Sequence, residues 1–98
     1  MATELITITE YCIHHHTELS FIDALEQSGL IHTIQREEER FIDYDQLEQL
    51  ESYTRWYHEL DINVAGIETV HYLLERIGSL QARVRALEAK LARYEAGA

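Results

Sequence analysis

Apolar and polar positions along this chain follow two periods, and each change of period marks an element. Leu5, Ile6 and Ile8 make a short β-prone opening. Thr7 and Glu10 then have capping-box spacing, which predicts a helix start. Ile8, Tyr11 and Cys12 fall at i, i+3 and i+4 and give that helix one apolar face; it is expected to end within residues 14–17. A second helix is predicted over about residues 18–28, closed by Gly29. Phe21, Ile22 and Leu25 form its core stripe, while Ser20, Asp23, Glu26 and Gln27 project the other way. Two apolar runs, 30–34 and 40–42, flank a charged turn and predict a hairpin. Asp43 and Gln46 form another capping pair and open a third helix. Its stripe is Leu47, Leu50, Thr54 and Tyr57, with Trp56 opposite Leu47 on the helix wheel.

Asn63 takes an N-cap position, with Ile62 and Ile67 placed as the two arms of a hydrophobic staple. From there to Glu95 only Gly78 interrupts a helical pattern. Val70, Ile77, Val84 and Leu91 recur every seven residues, and so do Leu73, Leu80, Leu87 and Tyr94 three residues later. That is the a/d seam of a coiled coil. A domain this small cannot bury its C-terminal half, so a second copy is expected to cover Ile77, Leu80, Val84, Leu87, Leu91 and Tyr94. Trp56 is expected at the same interface, with Tyr53 and Leu60 beside it, because tryptophan is enriched at such anchors; the plain alternative is a partly exposed tryptophan capping the edge of the core. The fold class expected is mainly α. A winged helix–turn–helix head with a small β-hairpin wing occupies residues 1–63, and a long C-terminal coiled-coil helix for dimerisation occupies 64–98. This is the layout of MerR-type regulators.

Charge changes the picture. The 98 residues carry a formal net charge of −10. Residues 1–63 hold three basic side chains (Arg36, Arg40, Arg55) against fourteen acidic ones, a net of −11, and residues 64–98 hold five against four, a net of +1. Affinity for nucleic acid comes largely from Lys and Arg replacing phosphate counterions, so such a head disfavours it. In a DNA reader the second helix enters the major groove and carries Arg, Lys, Asn or Gln towards base edges. Here it carries Asp23 and Glu26 and has no Lys or Arg. A basic protein partner fits better, with Asp23, Glu26, Glu37, Glu38 and Glu39 as candidate contacts. The plain alternatives are a solvated hairpin tip for the three glutamates and an ordinary polar helix face for the other pair.

Chemistry adds little. Neighbouring residues on a helix do not share a face, so of His14, His15 and His16 only the last two have usable spacing to Cys12. Two ligands do not make a structural zinc site. Cys12 lies on the apolar stripe and reads as packing. No metal or cofactor is expected, and His32, His58 and His71 carry no signal. A glycine-rich phosphate loop, a nucleophile motif and HExxH are all missing, so no enzyme is expected. One cysteine excludes an internal disulfide framework and fits a reducing cytoplasm. Residues 1–9 show no secretory signal, and no apolar segment is long enough for a membrane.

Two stretches narrow the reading: Ile6-Thr7-Ile8-Thr9-Glu10-Tyr11-Cys12 and Glu59-Leu60-Asp61-Ile62-Asn63-Val64-Ala65-Gly66-Ile67. Together with the short helical head and the terminal coiled-coil helix, they resemble the chaperone-modulator family CbpM over most of the chain, least in residues 32–40. The resemblance implies a MerR-type winged helix–turn–helix that does not mainly read DNA. It implies binding to, and inhibition of, the J-domain of a DnaJ-like, curved-DNA-binding co-chaperone. J-domains engage their DnaK-type chaperone through a basic helix, which an acidic head would occupy. The acidic tip 37–39 departs from what a nucleic-acid wing needs. Two other readings stand beside it: a MerR-like transcription regulator, which calls for a basic second helix and wing, and a coiled-coil scaffold for another protein.

The orientation of the paired helices is contested by two forces. In the register above, a parallel pair sets Arg83 against Glu88 and Lys90 against Glu95. Such exposed pairs contribute tenths of a kcal/mol to about 1 kcal/mol each. The antiparallel pairing of MerR-type dimers would bury apolar side chains on the partner head at roughly 1.5–3 kcal/mol each, which favours antiparallel.

Overall fold

In the computed structural model, which describes residues 4–97, the chain forms β1 (Leu5–Thr7), α1 (Ile8–His15), α2 (Leu19–Gln27), β2 (Thr33–Arg36) and β3 (Glu39–Asp43). A 3-10 turn (Tyr44–Gln46), α3 (Leu47–Glu59) and α4 (Val64–Ala96) follow. The strands make one antiparallel sheet in the order β1-β3-β2. This is the expected winged helix–turn–helix head with a long C-terminal helix. The chain divides into two compact units, Met1–Glu68 and Thr69–Ala98. The sequence pattern places the division at 63/64; the first unit runs further because Ile67, in the first turn of α4, is fully buried in its core.

Caps act where their spacing predicts. Thr7 Oγ1 accepts the Glu10 amide at 3.1 Å. α1 closes on His16 in the left-handed region (φ 51), and the Thr17 amide donates back to the Cys12 carbonyl at 3.0 Å. The Asn63 side chain accepts the Gly66 amide at 2.8 Å. A Cβ at Gly66 would lie 2.7 Å from Ile62 Cγ2, so the staple needs a glycine there.

The pair Asp43 and Gln46 behaves differently from its capping-box reading. Asp43 caps the 3-10 turn through the Asp45 amide at 2.9 Å. Gln46 instead clamps the backbone of His32, accepting its N–H at 2.8 Å and donating to its carbonyl at 2.9 Å. His32 lies just before β2, outside the ladder, and a carboxamide can satisfy both of its backbone groups at once.

The core joins Ile8, Tyr11, Phe21, Ile22, Leu25, Ile31, Ile42, Leu50, Tyr53 and Ile67. Tyr53 is 2% exposed, which corrects its placement at a partner interface. It lies 60° from Leu50 on the wheel, within a stripe wide enough to include it. Trp56 is half-buried against this core and meets Tyr53 edge-on, with ring centroids 5.8 Å apart. Thr54 Oγ1 donates to the Leu50 carbonyl at 2.8 Å, so the Tyr11 hydroxyl is the donor in their 2.7 Å bond. Burial pushes the Tyr11 phenol up to about 12, so it stays protonated in that role.

Strands β2 and β3 pair from Thr33–Ile42 to Arg36–Glu39, leaving Glu37 and Glu38 as a two-residue turn. Glu37 holds φ 57, a conformation that favours glycine. Glu37→Gly is therefore expected to stabilise the head by about 0.5–1 kcal/mol. Thermal unfolding followed by circular dichroism checks this, and a lower melting temperature would refute strain at this turn.

Candidate partner-binding site

Residues 19, 23 and 26 lie at i, i+4 and i+7 on α2 and share its outer face. Arg40, on β3, reaches across from the wing. Its Nη1 donates to Asp23 Oδ1 and its Nη2 to Glu26 Oε1, both at 2.6 Å. The other Glu26 oxygen accepts the Thr33 amide at 3.2 Å and the Thr33 hydroxyl. One guanidinium and one threonine thus clasp the wing to α2. The Thr33 hydroxyl, then its amide and Arg40, hold the Glu26 carboxyl below its ordinary value against partial burial. The bond to Asp23 raises the Arg40 pKa still further.

The sequence pattern presents Asp23 and Glu26 as a solvent-facing pair. They are instead partly covered, and the clasp leaves one net negative charge where two are expected. Nothing in helical periodicity signals this, since Arg40 is 17 and 14 residues from its partners. The other three candidates, Glu37, Glu38 and Glu39, are exposed at the wing tip and line a shallow cavity with Arg36 and Phe41.

The turn between α1 and α2 is fixed from α3. Thr17 is buried, and its Oγ1 shares a 2.9 Å hydrogen bond with His58 Nε2. Phe21 stacks on Tyr57 with centroids 4.2 Å apart. His58 therefore has a positioning role that the sequence pattern does not reveal, with its partner 41 positions away. His15 stacks on Tyr11 at 4.1 Å and its Nε2 lies 3.7 Å from Glu51. His15, His16, Glu51, Arg55, His58 and Glu59 line a second shallow cavity. Among the described residues, no group of three His, Cys, Asp or Glu side chains is arranged to hold a metal. Cys12 is half-buried, and burial pushes its thiol up, away from nucleophilic reactivity.

Within the second unit, α4 carries its seam uncovered. Ile77, Leu80, Val84, Leu87 and Leu91 are exposed by about half, and Tyr94 is 81% exposed. Ile77, Leu80 and Val84, with Gln81, Arg85 and Glu88, edge a shallow groove. Trp56, grouped with these by sequence, belongs to the first unit. No helix among the described residues is long and apolar enough to cross a membrane.

The sequence model of one family, described as MerR HTH family regulatory protein, matches residues 6–89. No curated protein and no solved structure matches the chain.

Proposed function

We propose that this chain, which belongs to the MerR helix–turn–helix family of regulatory proteins, is a non-enzymatic cytoplasmic chaperone modulator. It binds the J-domain of a DnaJ-like, curved-DNA-binding co-chaperone and inhibits it. The observation that carries the reading is the outer face of α2. The helix that would read bases presents Asp23 and Glu26 and has no Lys or Arg, and the arginine that reaches this face is already held by those carboxylates. Phosphates placed there would be repelled. A basic helix would be attracted by a head of net charge −11. The CbpM-like stretches at residues 6–12 and 59–67 support the same partner. Several turns of uncovered seam on α4 support a homodimer. The family description itself favours a second reading, a transcription regulator.

Titrating a purified J-domain into the chain separates the two. Binding that weakens as salt rises, with loss of J-domain-stimulated ATPase activity of the DnaK-type partner, is the expected result. A mobility shift of duplex DNA at low salt, where phosphate-driven binding is strongest, without any J-domain binding would overturn it.

A further inference from the structure

The outer face of α2 holds an apolar side chain as well as acids. Leu19, the first residue of α2, is 53% exposed, although Phe21, Ile22 and Leu25 of the same helix are buried. It stands one helical turn before Asp23, so the two are neighbours on the surface. The acids beside it are not equivalent. Glu26 has both oxygens engaged, one by Arg40 and the other by Thr33, and its side chain is 36% exposed. Asp23 meets Arg40 through Oδ1, and its side chain is 46% exposed. An incoming cation therefore finds its better acceptor next to the leucine and away from Thr33.

Resting on the J-domain reading above, we propose that Leu19 and Asp23 form the centre of the docking face. Their occupant is an amphipathic basic helix that sets an apolar side chain on Leu19 and a Lys or Arg on Asp23. Charge complementarity selects this occupant: the head is strongly acidic, and a phosphate backbone has nothing to gain from a leucine at the centre of its contact. In such an interface the desolvated apolar anchor supplies affinity, and the charges set approach rate and register. The wing-tip glutamates act at the rim.

The test is calorimetric titration of the J-domain into the full chain, with circular dichroism of each variant. Leu19→Ser is expected to raise the Kd by about tenfold, the scale of a truncated anchor. Leu19→Met keeps near wild-type affinity. Ile13→Ser, which removes an aliphatic side chain exposed by 70% from α1, leaves the Kd unchanged. Leu19→Ala, better suited to a helix, reads the same loss if the serine variant disturbs the fold. Wild-type binding with Leu19→Ser and Leu19→Ala both within twofold overturns the Leu19 centre and leaves the J-domain reading standing. No wild-type binding to the J-domain overturns that reading and this occupant together.

Discussion

Ile67→Ala lowers the stability of the head by about 2–4 kcal/mol, in the range of isoleucine truncations that leave a cavity. Ile67 is fully buried in the same cluster as Leu50, Tyr53 and Ile22, with Ile62 and Val64 packed around that cluster. It is the one residue of α4 that is fully buried, among those described. Its site is poorly placed to collapse. Ile62 and Val64, which also pack on this cluster, flank the site on the same stretch of chain, so the cavity is enclosed by side chains already in contact with the core. For a unit of this size each kcal/mol moves the melting temperature by roughly 4–8 °C, so the shift is easily read from Trp56 emission on heating. A loss below about 1 kcal/mol, the cost of a typical substitution, would mean that the first turn of α4 is not part of the head's core.

Arg40→Ala removes both guanidinium bonds of the clasp and leaves two carboxylates side by side. Bonds to charged groups contribute about 1.5–3 kcal/mol when buried, and the partners here are part exposed, so a net loss of about 1–3 kcal/mol is expected. Thr33→Val distinguishes the two halves of the clasp by their response to acid. The Glu26 carboxyl is held below its ordinary value of 4.5, so its contribution is fully present above that pH and is lost as pH falls through the lower folded value. The Thr33 hydroxyl is the largest cause of that lowering and Arg40 a smaller one. Urea unfolding between neutral pH and pH 3 should therefore show a shallower acid loss in Thr33→Val than in Arg40→Ala. The reverse order would mean that Arg40 dominates. The clasp also changes what charge reversal at Asp23 and Glu26 measures: two lysines there would face Arg40 and loosen the wing, so weakened binding alone would not identify a docking contact.

The parts of this fold that were legible in sequence are those fixed within one helical turn. The cap of Thr7 at Glu10, the buried stripe of Phe21, Ile22 and Leu25, and the staple around Asn63 each depend on residues three to five apart. Periodicity reads such spacings directly. The clasp of Arg40, the Gln46 clamp on His32 and the bond between Thr17 and His58 depend on residues 14 to 41 apart. Those pairings exist only once helices and strands have met, and no local spacing announces them. For the same reason the acidic character of α2 was visible, while its partial neutralisation was not. Leu19 is hard to place from sequence for a different reason: an apolar residue at a helix start blends into the core stripe until burial separates Phe21 and Ile22 from it.

The place of β1 in the sheet governs how the head assembles. β1 precedes α1 in the chain, yet it lies beside β3, with Leu5 opposite Asp43 and Thr7 opposite Phe41, and the Tyr44 amide donating to the Glu4 carbonyl at 3.0 Å. Both helices of the helix–turn–helix therefore lie inside a chain loop whose two ends are strand neighbours. The β2–β3 hairpin closes over two residues and can form within about 1–10 μs, as hairpins do. Pairing β1 with β3 closes a much longer loop, one that holds α1 and α2, and a longer loop is costlier to close before its contacts reward the closure. A fragment cut to residues 8–43 would keep both helices and the wing but leave β3 with a bare edge, open to pairing with another chain. Grafting α2 and its wing onto another scaffold therefore means carrying the residues from Glu4 onward with them.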